Sequence, residues 1–228
     1  MRLTRSQMVL GLATAVTLVG TLYGALVWAP TERTMGDIQR IFYIHVAAAQ
    51  TALLAFFAMF VASIAYLITK NLKWDRLALA LAEIGTIFCT GMLITGPIWA
   101  KPVWGIWWTW DARLTSSLIL WLLYVSYLLL RDFLEEPMRR ATLSAVFGIF
   151  AFVDVPIVYF SIRIWRTQHP QPVIMGGENS GLDPDMFKVL VLSWIASGIL
   201  LVFLTSLRVR LEKSREEVQQ LRRQWMLQ

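Results

Sequence analysis

Cysteine and histidine are nearly absent from this chain of 228 residues, and charge is scarce. The one cysteine, Cys89, excludes an internal disulfide, a CxxC redox pair and a cysteine metal cluster, and reads as a small packing residue. The two histidines, His45 and His169, cannot by themselves complete a zinc site, which needs three or four ligands. Charged residues make up 16% of the chain, against about 25% in an ordinary soluble domain. With 57% hydrophobic residues and a mean hydropathy of +0.58, too little polar surface remains to cover a water-soluble core. Repeats, low-complexity tracts and a separate soluble domain are also lacking, so soluble catalytic folds drop out. The composition is that of a membrane protein. Its net charge of +6 then records orientation rather than nucleic-acid binding.

Six apolar runs are long enough to cross a bilayer at about 20 residues per span. They cover residues 8–28, 46–69, 77–98, 114–130, 141–162 and 187–207. The first run is longer than the roughly 7–15 apolar residues of a cleavable signal peptide, so it reads as an anchor. Alternate loops sort the 21 Lys and Arg residues into fourteen on the side of the termini and seven on the other. The positive-inside rule places both termini in the cytoplasm and the loops 29–45, 99–113 and 163–186 outside. The expected fold is an all-α integral membrane protein of six transmembrane helices, with a tryptophan-rich loop between helices 3 and 4. Residues 1–207 form the membrane domain and 208–228 a cytoplasmic helical tail. That tail carries Leu211, Val218, Leu221 and Trp225 at helical spacing. It either continues the sixth helix into water or offers a face to a partner subunit or the membrane surface.

Nearly everything chemically unusual lies in the outer loops. Five of the eleven tryptophans fall within residues 99–110, at Trp99, Trp104, Trp107, Trp108 and Trp110. One such residue reads as an interfacial anchor; five together do not. If the segment is helical, Trp104, Trp107, Trp108 and Asp111 share one face at i, i+3, i+4 and i+7. That face is a flat indole shelf for a large planar apolar ligand, with Gly105 permitting close approach. Asp111 is then expected to fix Arg113 or an indole N–H. His45 and His169 flank this loop in sequence and fall on the same side of the bilayer. A lone interfacial histidine reads as a hydrogen-bonded structural residue, but here the whole supply faces one surface. Two neutral imidazoles can fill the two axial positions of a haem iron. Arg40, Arg113, Arg163 and Arg166 stand near that surface as fork-shaped propionate partners, although any one of them can simply mark a helix end.

The run Trp104-Gly105-Ile106-Trp107-Trp108-Thr109-Trp110-Asp111-Ala112-Arg113-Leu114-Thr115-Ser116 resembles the "WWD" signature of haem-handling membrane proteins in cytochrome c maturation. With six spans and one outer histidine on each side of the motif, the chain most resembles the haem exporter protein C family. The resemblance extends to Pro156–Ser161 and Trp165–His169. It implies that His45 and His169 are axial ligands of haem b and that Trp104, Trp107, Trp108, Trp110, Asp111 and Arg113 form the haem platform. It further implies a haem-transfer subunit of the bacterial inner membrane, active at the periplasmic face, rather than an enzyme. The implied partners are the haem chaperone CcmE, the small single-span subunit CcmD, the ABC transporter subunits CcmA and CcmB, and membrane lipid, with no nucleic acid.

Two acids fall within the spans, Glu83 and Asp154. Ionisable groups at such depth are functional candidates. Asp154 reads either as support beneath the haem pocket or as a hydrogen bond where Pro156 frees a backbone carbonyl. Glu83, close to the cytoplasmic interface, reads as a structural hydrogen bond. Read together as a path, they point to the alternative of a transporter moving haem or another small substrate through the bundle. A third alternative is a passive scaffold. Loop 163–186, rich in proline and glycine, reads as a flexible lid, a docking strip or a plain connection.

Overall fold

The computed structural model describes residues 3–169 and 181–226; Pro170, Pro172, Gly176, Gly177 and Glu178, part of the expected lid or docking strip, lie outside the described residues. Helix α1, Arg5–Tyr23, begins at a reciprocal capping box: the Thr4 hydroxyl accepts from the Gln7 N–H, and the Gln7 side chain accepts from the Thr4 N–H. It runs on into a π-helical turn, Gly24–Trp28. A short 3-10 turn, Asp37–Arg40, leads into α2, Ile41–Thr69. Helices α3, Leu72–Trp104, and α4, Ala112–Asp132, follow. The fifth span consists of α5, Pro137–Phe152, and α6, Asp154–Ile164, separated at Val153. Pro156 has no N–H to give the Phe152 carbonyl, and the break falls there. Helix α7, Pro184–Met226, ends the fold.

These elements make six helices long and apolar enough to cross a membrane, in the order the apolar runs predict. Their ends extend beyond those runs. Helix α3 continues through Pro97 and Pro102 to Trp104, and α7 has 43 residues. At about 1.5 Å per residue α7 is about 65 Å long, twice a hydrocarbon core of about 30 Å. It therefore enters the tail without a break.

Close packing of the spans rests on small residues, the arrangement that lets helices approach within a membrane. Helices α2 and α3 make the largest contact. Buried Ala52, Ala55 and Ala62 of α2 share a core with Ala78 and Ala82 of α3. A Cβ on Gly85 would fall 2.7 Å from the Phe56 ring, which in turn stacks on Tyr124 of α4 at 3.5 Å between centroids. Hydrogen bonds cross between spans from Thr51 to Ser197 (2.9 Å) and from the Trp121 indole to Thr90 (2.8 Å). Helix α1 packs on α7 and turns Val9, Leu12, Val16 and Val19 outward.

The two ends of the bundle differ in chemistry. At the end holding both termini, Gln7 bonds the Ser206 carbonyl and the Arg210 guanidinium. Asp75 of α3 and Arg131 of α4 form a buried two-pronged ion pair at 2.6 and 2.8 Å. Arg76 holds Glu216 at 2.7 Å. Arg208 grips Glu83 through Nε and Nη2, and also Glu212. Glu83 of α3 is thus bonded to a neighbouring helix, in line with its reading as a structural hydrogen bond, and its partner stands just beyond the sixth apolar run.

Candidate functional site at the histidine end

His45 lies near the N-terminal end of α2, against one stretch of α3. Its Nδ1 is 2.9 Å from the Thr95 hydroxyl oxygen. The Thr95 hydroxyl in turn donates to the Gly91 carbonyl at 2.7 Å, a bond back to the preceding helical turn. The Met92 carbonyl is a more distant acceptor of the same hydroxyl, at 3.3 Å. Gly96 clears the ring edge: a Cβ there would stand 3.3 Å from His45 Cε1. Trp99, one turn further along α3, meets the imidazole edge to face at 5.8 Å, and Phe42 meets Trp99 at 6.0 Å. Thr95, Gly96 and Trp99 thus form a cradle for His45, and none of the three was among the predicted ligand-holding residues.

His169 is half-buried beyond the end of α6, with its backbone N–H donated to Thr167 at 2.9 Å. The charges of His169 and Arg113 both reach His45, so the chain's two imidazoles and this guanidinium converge at one end of the bundle. Arg113 stands in the first turn of α4 and donates through Nη1 to the Val158 carbonyl of α6. Asp111 and Tyr159 lie within electrostatic reach of its guanidinium.

The tryptophan segment is not one helix. Gly105 takes a left-handed backbone (φ 78°) and caps α3 after Trp104, while Asp111 caps the start of α4. Residues 106–111 are irregular, so Trp104, Trp107, Trp108 and Asp111 do not share a helical face. Two local stop and start signals, a glycine after the last turn and an aspartate before the next, outrank the periodicity. Trp104 and Trp108 are half-buried, whereas Trp107 and Trp110 are 57% and 76% exposed. Trp108 and Trp110 meet edge to face at 5.8 Å, so the surface is a corner of indoles rather than a flat shelf. Asp111 does engage Arg113, but through the backbone: Oδ1 accepts the N–H groups of Arg113 (2.9 Å) and Leu114 (3.1 Å), and Oδ2 accepts the Thr109 hydroxyl (2.7 Å).

Arg40 serves the fold. Its guanidinium reaches the Ala25 and Ala29 carbonyls at the end of the first span, and also Thr31 and Asp37. Arg163 lies in the last turn of α6, and exposed Arg166 follows it. In the loop before Arg40, Glu32 accepts the Met35 and Thr34 N–H groups, and the Met35 bond holds its carboxyl below the ordinary carboxylate range. Asp154 is buried deeper, and its charge is felt at Cys89 and Tyr124. Among the described residues, no three His, Cys, Asp or Glu are grouped to hold a metal ion, and the buried Nε1 atoms of Trp99 and Trp108 have no hydrogen-bond partner. Indole N–H groups left in this way can donate to an anionic ligand.

Six spans and chemistry gathered at one end define a polytopic helical membrane protein. Comparison with known sequences narrows the class: residues 1–224 match the family described as haem exporter protein C. The haem exporter protein C of Escherichia coli K12 is 35% identical over 220 residues, covering 93% of this chain and 87% of that protein. The Bradyrhizobium diazoefficiens protein of the same name is 34% identical, covering 93% of this chain and 80% of its own length. That of Haemophilus influenzae is 33% identical, covering 91% and 83%. The chain belongs to the haem exporter protein C family.

Proposed function

We propose that the chain binds haem b at the histidine end of the bundle, with His45 and His169 as the axial ligands, and passes it to the haem chaperone CcmE during c-type cytochrome biogenesis. The convergence of the two histidines with Arg113 carries this reading. Family membership supports its coarser part, a haem-handling role in cytochrome c biogenesis. The donor set fits the cargo: two imidazoles for iron, buried indole N–H groups and a guanidinium for anionic oxygens, and indole faces for the ring.

Haem brings an iron with two open axial positions and a pair of propionates. His45 is held between α2 and α3, and His169 stands on the segment after α6, so the two ligands come from separate parts of the fold. Trp104 and Trp108 make the inner wall, and exposed Trp107 and Trp110 make the rim toward the receiving chaperone. Asp111 starts α4 and thereby aims Arg113. The charge asymmetry of the loops supports placing this end at the periplasmic face of the bacterial inner membrane. CcmD, CcmA and CcmB complete the proposed complex. The alternative of a transport path loses one of its two acids, because Glu83 is held by Arg208 near the opposite end.

The test is the absorption spectrum of haem copurified with the protein. Wild type is expected to show a low-spin spectrum that His45→Ala and His169→Ala each disturb. Unchanged spectra in both variants would refute the ligand assignment.

A further inference from the structure

We infer that Thr95 is a positioning residue that keeps the proton of His45 on Nδ1 and so presents Nε2, with its lone pair, as the nitrogen that binds iron. The inference rests on the haem reading above, and the observations behind it concern only this chain's own atoms. A threonine hydroxyl has one proton to give. That of Thr95 goes to the Gly91 carbonyl at 2.7 Å, with the Met92 carbonyl a weaker second acceptor at 3.3 Å. Toward His45, 2.9 Å away, the Thr95 oxygen is therefore left as an acceptor, and the shared proton must come from Nδ1. In a neutral imidazole a proton on Nδ1 means none on Nε2. Helix α3 thus selects the tautomer, and Gly96 admits the ring by lacking a Cβ that would press on Cε1 at 3.3 Å. Histidine ligands to metals ordinarily give their second ring N–H to such an acceptor, which fixes orientation and raises basicity. Here the acceptor is a hydroxyl already committed as a donor elsewhere, on a sequence-distant helix.

The experiment uses the full chain in detergent with 15N-labelled histidine. Only two imidazoles contribute signals, and His169→Ala assigns them. At about pH 8, above the ordinary imidazole value of about 6.5, wild-type haem-free protein should show His45 protonated at Nδ1 and bare at Nε2. Thr95→Val, nearly isosteric but without the acceptor oxygen, should populate both tautomers, and Thr95→Ser should restore the single form. Haemin titration should follow: Thr95→Val weakens binding by about tenfold or more, the usual scale for losing a partner of a metal-bound histidine, and Thr95→Ser does not. A wild-type proton on Nε2 would overturn the inference. So would a Thr95→Val protein that keeps the single Nδ1–H form, or one that changes tautomer while binding haemin as wild type does. Loss of the haem reading is separately visible, as a His45→Ala protein whose haem spectrum and affinity match wild type while the tautomer result stands.

Discussion

Removing the Asp75 carboxylate should unfold the bundle more readily without touching the histidine end. Asp75 and Arg131 have side chains 7% and 6% exposed, joined by bonds of 2.8 and 2.6 Å. In Asp75→Ala the guanidinium stays buried, with only the Tyr127 hydroxyl at 3.4 Å to turn to. A long bond to a neutral oxygen cannot replace two short bonds to a charge, so the cost should approach that of breaking a buried pair, about 3–5 kcal/mol. Arg131→Met leaves the carboxylate stranded at a similar cost. Removing both charges in Asp75→Leu/Arg131→Met abolishes the desolvation problem, and the double variant should lie near wild type or above it by about 1–4 kcal/mol. Thermal melting in detergent reads the difference: at about 2–4 °C per kcal/mol, each single variant should lose on the order of 10 °C. The spectrum of bound haem at low temperature should not change. Single-variant losses that simply add in the double would refute the argument, because the energy would then come from packing and not from the pair.

Two further perturbations address the site. Gly96→Ala puts a methyl 3.3 Å from His45 Cε1, so the ring must move by a few tenths of an ångström. Haem retained per protein should fall by about tenfold, the scale for disturbing the support of a metal-bound histidine, while melting changes little; unchanged retention would remove Gly96 from the cradle. Asp111→Ala strips the cap from α4 at a cost of about 1 kcal/mol, and Asp111→Asn, an equally good cap, should restore it. Hydrogen exchange at the Arg113 and Leu114 amides checks this, with faster exchange expected in Asp111→Ala alone. If haem retention follows exchange across the two variants, Asp111 acts by placing Arg113, and if Asp111→Asn also loses haem, its charge is needed.

Hydropathy makes the spans legible because each apolar run must bury itself in lipid whatever its neighbours do. The limits of the runs are less informative: α3 outlasts its apolar stretch to Trp104 because Gly105 and the Lys101 carbonyl close it there, a local matter that residue types alone weigh poorly. The helical shelf fails for the same reason. Its spacing is right, but Gly105 and Asp111, which read from the sequence as a point of close approach and a partner for Arg113 or an indole, serve in the fold as caps. The histidines stand out by scarcity, but the residues that serve His45 do not. Thr95 lies 50 positions away, in a span where a threonine commonly bonds its own helix, as this one also does. Only the α2–α3 contact shows which face of α3 meets the ring. The Asp75–Arg131 pair, 56 positions apart, is hidden likewise, since each residue alone reads as a charge near the end of a span.

The contrast between the two ends separates scaffold from site. Where the termini meet, three sets of buried or half-buried charges are matched, Asp75 with Arg131, Glu83 and Glu212 with Arg208, and Arg76 with Glu216, although the Arg140 Nε at this end is left without a partner among the described residues. Matched groups gain nothing from a ligand, so that end reads as a clasp holding α3, α4 and α7 in register. The histidine end is arranged on the other principle. Buried indole donors at Trp99 and Trp108 have no acceptor among the described residues, two large aromatics are left on the surface, and the two imidazoles share one neighbourhood with a guanidinium. A buried donor left unmatched costs about 1–3 kcal/mol, which a fold of this kind can carry only if packing elsewhere holds it together. A ligand that accepts those bonds recovers that cost. The stability of the clasp and the affinity of the histidine end should therefore vary independently, and an unchanged haem spectrum in the Asp75 and Arg131 variants is the result expected from that independence.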